Sequence, residues 1–146
     1  PTQPSQLASS SFDKTVRVWD VDRETELYQF PVFGGPVRCV AYNPAGTLLA
    51  TASDDKFTIR VYHVGNGWSQ ASSDICGHKA AVRTVVFSPD GKVLASASHD
   101  NTIRIWSTSD WTCQSKMQGH TQVSGGVVVV IWVEGLAAIL QWPAQG

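Results

Sequence analysis

The feature that most constrains this chain is a segment that occurs three times. LASSSFDKTVRVWD begins at Leu7, LATASDDKFTIRVYH at Leu49 and LASASHDNTIRIWS at Leu94. By subtraction, the aspartates Asp13, Asp55 and Asp100 lie 42 and 45 residues apart, and the aromatics Trp19, Tyr62 and Trp106 lie 43 and 44 apart. Upstream of the second and third copies, VRCVAYNPAGTLL from Val37 matches VRTVVFSPDGKVL from Val82, offset by 45. Gly77-His78 and Gly119-His120 punctuate the ends of two units. A repeat of this size is one supersecondary unit, which cannot bury its apolar face alone and must stack on its neighbours.

Within each unit the period is that of strands. Val82, Val85 and Phe87 lead into the turn sequence Ser88-Pro89-Asp90-Gly91, and Leu94 to Ser98 alternates larger with small residues. His99-Asp100-Asn101 makes the next tight turn, and Thr102 to Trp106 is a β-branched run with Ile103 and Ile105 on one face. Trp111 to Met117 supplies a weaker fourth strand. Four short antiparallel strands in roughly 44 residues are one blade of a β-propeller.

These residues resemble the WD40 family, from Leu7 to about Gln122, and the copy from Gly77-His78 to Trp106 is the most specific. The first copy carries the family's terminal dipeptide as Trp19-Asp20. The second departs from the pattern: it has Tyr62-His63, one extra residue around Phe57, and Gly34-Gly35 in place of Gly-His. A second blade less well tied internally is therefore expected. The resemblance implies an all-β fold: an incomplete WD40 β-propeller of about 2.5–3 four-stranded antiparallel blades with a divergent C-terminal tail. The divisions are a partial first blade over 1–35, a second over 36–78, a third over 79–122 and the tail over 123–146. The first blade holds its last three strands over Leu7–Phe30, and Gly65–Ser73 is a polar loop around Trp68.

Composition agrees with a folded domain. Of 146 residues 42% are apolar and 16% charged, which excludes a disordered chain. Eleven basic residues against 12 acidic ones give no field for nucleic acid or a membrane surface. Cys39, Cys76 and Cys113 are odd in number and lack CxxC spacing, which favours a reducing compartment, cytoplasmic or nuclear. Pro1–Ser5 shows no apolar signal region, and a first residue that cannot be an initiator suggests missing upstream sequence.

His78, Ser96 and Asp100 invite a serine-hydrolase reading. WD40 proteins offer a competing one, in which the His of Gly-His, a second-strand Ser, the turn Asp and the third-strand Trp form a buried hydrogen-bonded network. Ser96 lies four residues before Asp100 and Trp106 six after it; Ser9, Asp13 and Trp19 keep that spacing in the first copy. In the second, Thr51 and Asp55 remain. A nucleophile needs an exposed strained turn and an oxyanion hole, and a serine inside a strand has neither. The network His78, Ser96, Asp100, Trp106, with Ser9, Asp13 and Trp19, is therefore read as structural and the chain as a non-enzyme. No cofactor is expected, and the scattered histidines give no metal-ligand spacing. Gly65-Asn66-Gly67 lacks the third glycine and following helix of a phosphate cradle. Arg17, Arg60 and Arg104 recur in each third strand and are expected to pack their stems and solvate their heads.

The resemblance implies docking of proteins or peptides on the rim around the narrow end of the channel. Carried over, the rim residues are Phe12, Asp54 and His99, before each turn aspartate, and Arg38 and Arg83, after each first-strand valine. Two arginines on adjacent blades suit an acidic or phosphorylated peptide, because each guanidinium takes a carboxylate or phosphate as a fork; two solvated surface arginines are the plain alternative. The Trp-Asp-x-Arg ending of certain cullin-ligase receptors is not matched, since Trp19-Asp20-Val21 is followed by Asp22.

After Gly119-His120-Thr121-Gln122 the pattern stops at VSGGVVVVIWVEGLAAILQWPAQG. The preferred reading is a retained intron or alternative end, since Val-Ser here is what a read-through splice donor encodes. A second is a strand over Val127–Val133 completing an exposed edge. A third is a membrane anchor over Val123–Trp142, opposed by Glu134 at a cost of roughly 2.5–3.5 kcal/mol near the bilayer centre. An open arc leaves blade faces and strand edges bare, so self-association or pairing with a complementary propeller fragment is expected.

Overall fold

β-Branched runs separated by aspartate, proline and glycine turns form short antiparallel strands, and no helix occurs among the described residues. The structure is a computed structural model and describes residues 5–65, 67–119 and 121, with the strands 128–133 and 136–141. The first sheet holds β1 (Gln6–Ser10), β2 (Val16–Asp20) and β3 (Thr25–Gln29), in that order. The second holds β4 (Val37–Tyr42), β5 (Leu48–Ser53) and β6 (Ile59–His63). The third has β7 (Val82–Phe87), β8 (Val93–Ser98), β9 (Thr102–Ser107) and β10 (Cys113–Gln118). β11 (Val128–Val133) and β12 (Leu136–Gln141) pair as a separate hairpin.

The turns are built by side chains that replace the interrupted ladder. Asn43 Oδ1 accepts from the N–H groups of Thr47 and Leu48 at 2.8 Å each, and Ser88 Oγ accepts from Val93 N–H at 3.1 Å. Between second and third strands, Asp13 and Asp100 accept from the backbone N–H and hydroxyl of Thr15 and Thr102. One residue of each such turn is left-handed, Lys14 at φ 70° and Asn101 at φ 63°. In the second blade the extra residue makes two, Lys56 at 52° and Phe57 at 56°.

Alternation decides what each sheet buries. Leu49 packs with Val16, Val18, Phe30 and Phe33 toward the first blade. Ala50 and Ala52 face the other way, into a cluster with Val82, Val85, Phe87, Leu94 and Trp106 of the third. Small residues alternate with leucine because neighbouring blades approach closely on the alanine side. Leu49 and Leu94 are both 0% exposed, whereas their equivalent Leu7 is 57% exposed. The first sheet has no blade before it among the described residues.

Among the described residues the second blade has no regular fourth strand: the isolated bridges Ile59↔Ile75 and Tyr62↔Gln70 stand in its place, because residues 67–73 loop out. The polar loop is also not merely polar, since Trp68 stacks on Tyr28 (5.7 Å between ring centres) and lies edge-on to Phe30 at 5.3 Å. It thereby ties the second blade to the first. The tail contributes two paired strands rather than one. The ends of the anchor span, with 123–127 and 142, lie outside the described residues, as do Asn66 and His120. No helix among the described residues is long and apolar enough to cross a membrane.

Candidate functional site

The third blade assembles the four residues singled out by spacing. Trp106, at the end of β9, donates its indole N–H to Ser96 Oγ at 2.8 Å. Ser96, in mid-β8, lies 2.7 Å from His78 Nε2, and His78 Nδ1 lies 2.9 Å from Asp100 Oδ2. These contacts have one consistent set of protons. Ionised Asp100 can only accept, so the proton of the neutral ring sits on Nδ1; bare Nε2 then takes the Ser96 hydroxyl proton while Ser96 Oγ accepts from Trp106. The imidazole is neutral. Burial pushes the His78 pKa below its ordinary value, and the Asp100 charge only partly opposes this. Burial alone would raise the Asp100 carboxyl. Hydrogen bonds from Thr102, the Lys79 N–H and His78 outweigh it and hold the group well below the usual carboxylate range. Gly77 permits the approach, since a Cβ there would stand 3.0 Å from the Trp106 ring.

This geometry removes the hydrolase reading. Ser96 is 0% exposed, its hydroxyl is engaged by both Trp106 and His78, and it sits within a regular strand. No substrate atom reaches it. The first blade keeps part of the arrangement: Trp19 donates to Ser9 Oγ at 2.9 Å, while Asp13 caps its own turn through Thr15. Asp20 of the Trp-Asp pair is buried and caps the following turn, accepting from Asp22 N–H and Arg23 N–H at 3.0 Å each.

The second blade is tied differently rather than less well. With no His beside it, the Asp55 carboxylate turns to Arg60 Nη2 at 3.1 Å. Arg60 also forks onto Asp74, with Nε to Oδ1 at 3.0 Å and Nη2 to Oδ2 at 3.1 Å. The Phe33 ring lies 5.3 Å beneath its guanidinium. Gln70 donates to Asp74 as well, so the ion pairs hold the long loop against β6. Gly34 is required here, because a Cβ would stand 2.6 Å from the Asp55 carboxylate. Nor are the repeated arginine heads simply solvated: Arg17 pairs with Glu26 at 2.8 Å, and Arg104 lies over Trp106 at 5.9 Å. Asp74 and Gln70 escaped the sequence reading because they lie in an irregular loop with no counterpart in the other copies.

The five rim residues come together as a trio and a pair. Arg38 Nε donates to Asp54 Oδ2 at 2.9 Å, and its guanidinium stands 4.4 Å over the Phe12 ring. Phe12 itself is 70% exposed. On the next blade the Arg83 guanidinium donates to His99 Nε2. The two groups feel each other: burial first, then the charges of Arg83 and Arg38, lower the His99 pKa, with Asp54 opposing. Two arginines and one aspartate leave this patch one positive charge in excess while His99 is neutral. Chemically it offers an anion site beside an exposed aromatic ring. Among the described residues no group of three or more His, Cys, Asp or Glu side chains is arranged to hold a metal ion.

Antiparallel blades stacked face to face, each strand order running through the sheet without crossover, define a β-propeller arc. The family model for the WD domain, G-beta repeat, matches residues 2–20, 25–63 and 69–107. The chain belongs to the WD40-repeat family. It is 33% identical over 136 residues to the E3 ubiquitin-protein ligase COP1 of Arabidopsis thaliana, covering 93% of this chain and 20% of that protein. It is 40% identical over 63 residues to human apoptotic protease-activating factor 1, covering 43% of this chain and 5% of that protein. In fold it matches a chain in a crystal structure of the mitotic checkpoint complex, with a TM-score of 0.78 at 23% identity, over 91% of this chain and 39% of that one. The chain thus spans a small part of the proteins it is similar to. WD40 repeats are generally non-enzymatic modules that bind other proteins.

Proposed function

We propose that this chain is a non-enzymatic interaction scaffold that binds acidic or phosphorylated peptides on the rim formed by Phe12, Arg38, Asp54, Arg83 and His99. The observation that carries this reading is the convergence of two arginines from adjacent blades on one patch beside an exposed ring. Asp54 orients Arg38 with one fork edge, and an incoming carboxylate or phosphate would take the remaining N–H groups. The aromatic face of Phe12 supports a neighbouring apolar side chain. The odd, unclustered cysteines support a reducing compartment, and with it a role in the cytoplasm or nucleus. The open first sheet also supports association with a second copy or with a complementary propeller fragment, as expected of part of a larger or truncated propeller.

Isothermal titration of aspartate-rich and phosphoserine peptides against the chain tests the rim. Arg38→Glu with Arg83→Glu should abolish binding with the β-sheet circular dichroism unchanged. An anion beside His99 favours its protonated form, so aspartate-peptide affinity should strengthen as pH falls from 7.5 to 6.5. Equal affinity in the charge-reversed variant removes the rim from the account.

A further inference from the structure

The two rim arginines are aimed by the same backbone device. The first strand breaks register between Val37 and Cys39 in the second blade, and between Val82 and Thr84 in the third. Arg38 and Arg83 stand at these bulges, and a bulge re-aims the side chain it carries. The turns that meet them are pinned as well. Asp54 N–H donates to Pro36 C=O and His99 N–H to Ala81 C=O, both at 2.9 Å. The backbone therefore sets an acid against one arginine and a histidine against the other.

The two partners leave different things free. Arg38 Nε donates to both Asp54 oxygens, at 3.1 and 2.9 Å, and its Nη2 donates to Oδ2. Phe12 covers one face of that fork. The Arg38 charge is thus matched where it stands. Arg83 forms no ion pair among the described residues. Its Nε donates to His99 Nε2, and its Nη2 lies 3.4 Å from His99 Nδ1. A neutral imidazole has one nitrogen with a free lone pair, and accepting from Arg83 uses it. Protonated His99 has no such lone pair and sets a second cation against the first. The Arg83–His99 bond and a proton on Nε2 exclude one another.

The charged groups facing His99 among the described residues are Arg83 on β7, Arg38 on β4 and Asp54 in the turn after β5. Asp100, next in the chain, is turned to His78 and Thr102. Burial and the two arginines outweigh Asp54, so the ring is held neutral while the rim is empty. An anion on the Arg83 fork opposes that balance. A carboxylate carries one charge, which Arg83 matches alone. A phosphate monoester carries close to two at neutral pH, and His99 is the rim group able to supply the second cation.

We propose that Arg83 and His99 select a phosphate monoester over a carboxylate by taking up one proton on His99 as the dianion binds. The proton comes from solvent onto Nε2 and breaks the bond from Arg83. The freed Arg83 Nε–H and the new His99 Nε2–H then both donate to phosphate oxygens, and Arg38 stays on Asp54. No covalent bond changes. The inference rests on the reading of this rim as an anion site and decides between its two ligand classes.

Calorimetric titration at pH 7.4 in Tris, HEPES and PIPES tests it, with a phosphoserine peptide and its aspartate counterpart. The dependence of the observed heat on the buffer's ionisation enthalpy counts the protons taken up. The expected uptake is about one proton for the phosphoserine peptide and under about half for the aspartate peptide. The preference for phosphoserine should then grow at least about threefold from pH 8.0 to 7.0, where the phosphate stays a dianion. His99→Gln keeps an amide that accepts from Arg83 but cannot protonate; it should bind the phosphopeptide with no buffer dependence and lose that growth. Buffer-independent heat in the unaltered chain, or uptake that survives in His99→Gln, would overturn the proton-coupled selection and leave the rim standing as an anion site. Binding of neither peptide would overturn the rim reading and this inference together.

Discussion

Ser96 serves two neighbours with one oxygen, and the consequence can be measured. Removing it leaves the Trp106 N–H and His78 Nε2 buried without partners, so Ser96→Ala should cost about 1–3 kcal/mol in urea unfolding. A catalytic serine would show no such loss, because active-site hydroxyls do not hold blades together. The pH dependence has the same origin. His78 titrates below its ordinary 6.5 in the folded chain, so the unfolded state takes up more protons as pH drops below that value. Asp100 adds its own loss only in stronger acid, below its ordinary 3.8. The melting temperature should therefore hold steady from pH 8 to 7 and fall below about pH 6.5, and His78→Gln should flatten the upper part of that fall. The network was legible in the sequence because Ser96 and Trp106 keep about Asp100 the spacing that Ser9 and Trp19 keep about Asp13, and Gly77-His78 matches the family's Gly-His. The protonation pattern was not, since it depends on burial and on which ring nitrogen meets which oxygen.

At the scale of elements, the second blade shows how a repeat survives losing its signature. The missing Gly-His suggested a looser blade, but Arg60 recruits both Asp55 and Asp74. That substitution could not be seen from the repeat, because an arginine occupies this place in all three copies and only one has an acid in the loop to meet it. Arg60→Ala should release the loop from β6. Hydrogen exchange at residues 70–75 should accelerate at least tenfold, with β7 to β9 unaffected. An unchanged loop would mean that Trp68, packed on Tyr28 and Phe30, holds it alone. The strands themselves were readable from alternation and turns, down to the extra residue at Phe57, which appears as a second left-handed position. The hairpin of the tail was not, because its strands lack the Ser-Pro-Asp-Gly turn and the aspartate by which the other copies announce themselves.

For the whole molecule, the decisive contrast is between equivalent leucines. Leu49 and Leu94 are fully buried between sheets while Leu7 stands in solvent, so stability is distributed unevenly along the arc. The third blade, pinned by Ser96 and buried on both faces, is the firm part, and the first sheet, with Leu7 exposed, is the less buried one. Backbone hydrogen exchange of Leu7–Ser10 against Leu94–Ser98, followed from dilute to concentrated protein, tests this account most directly. It predicts that β8 is protected throughout, whereas β1 exchanges rapidly when dilute and slows on concentration. Equal, concentration-independent protection of β1 and β8 would contradict it.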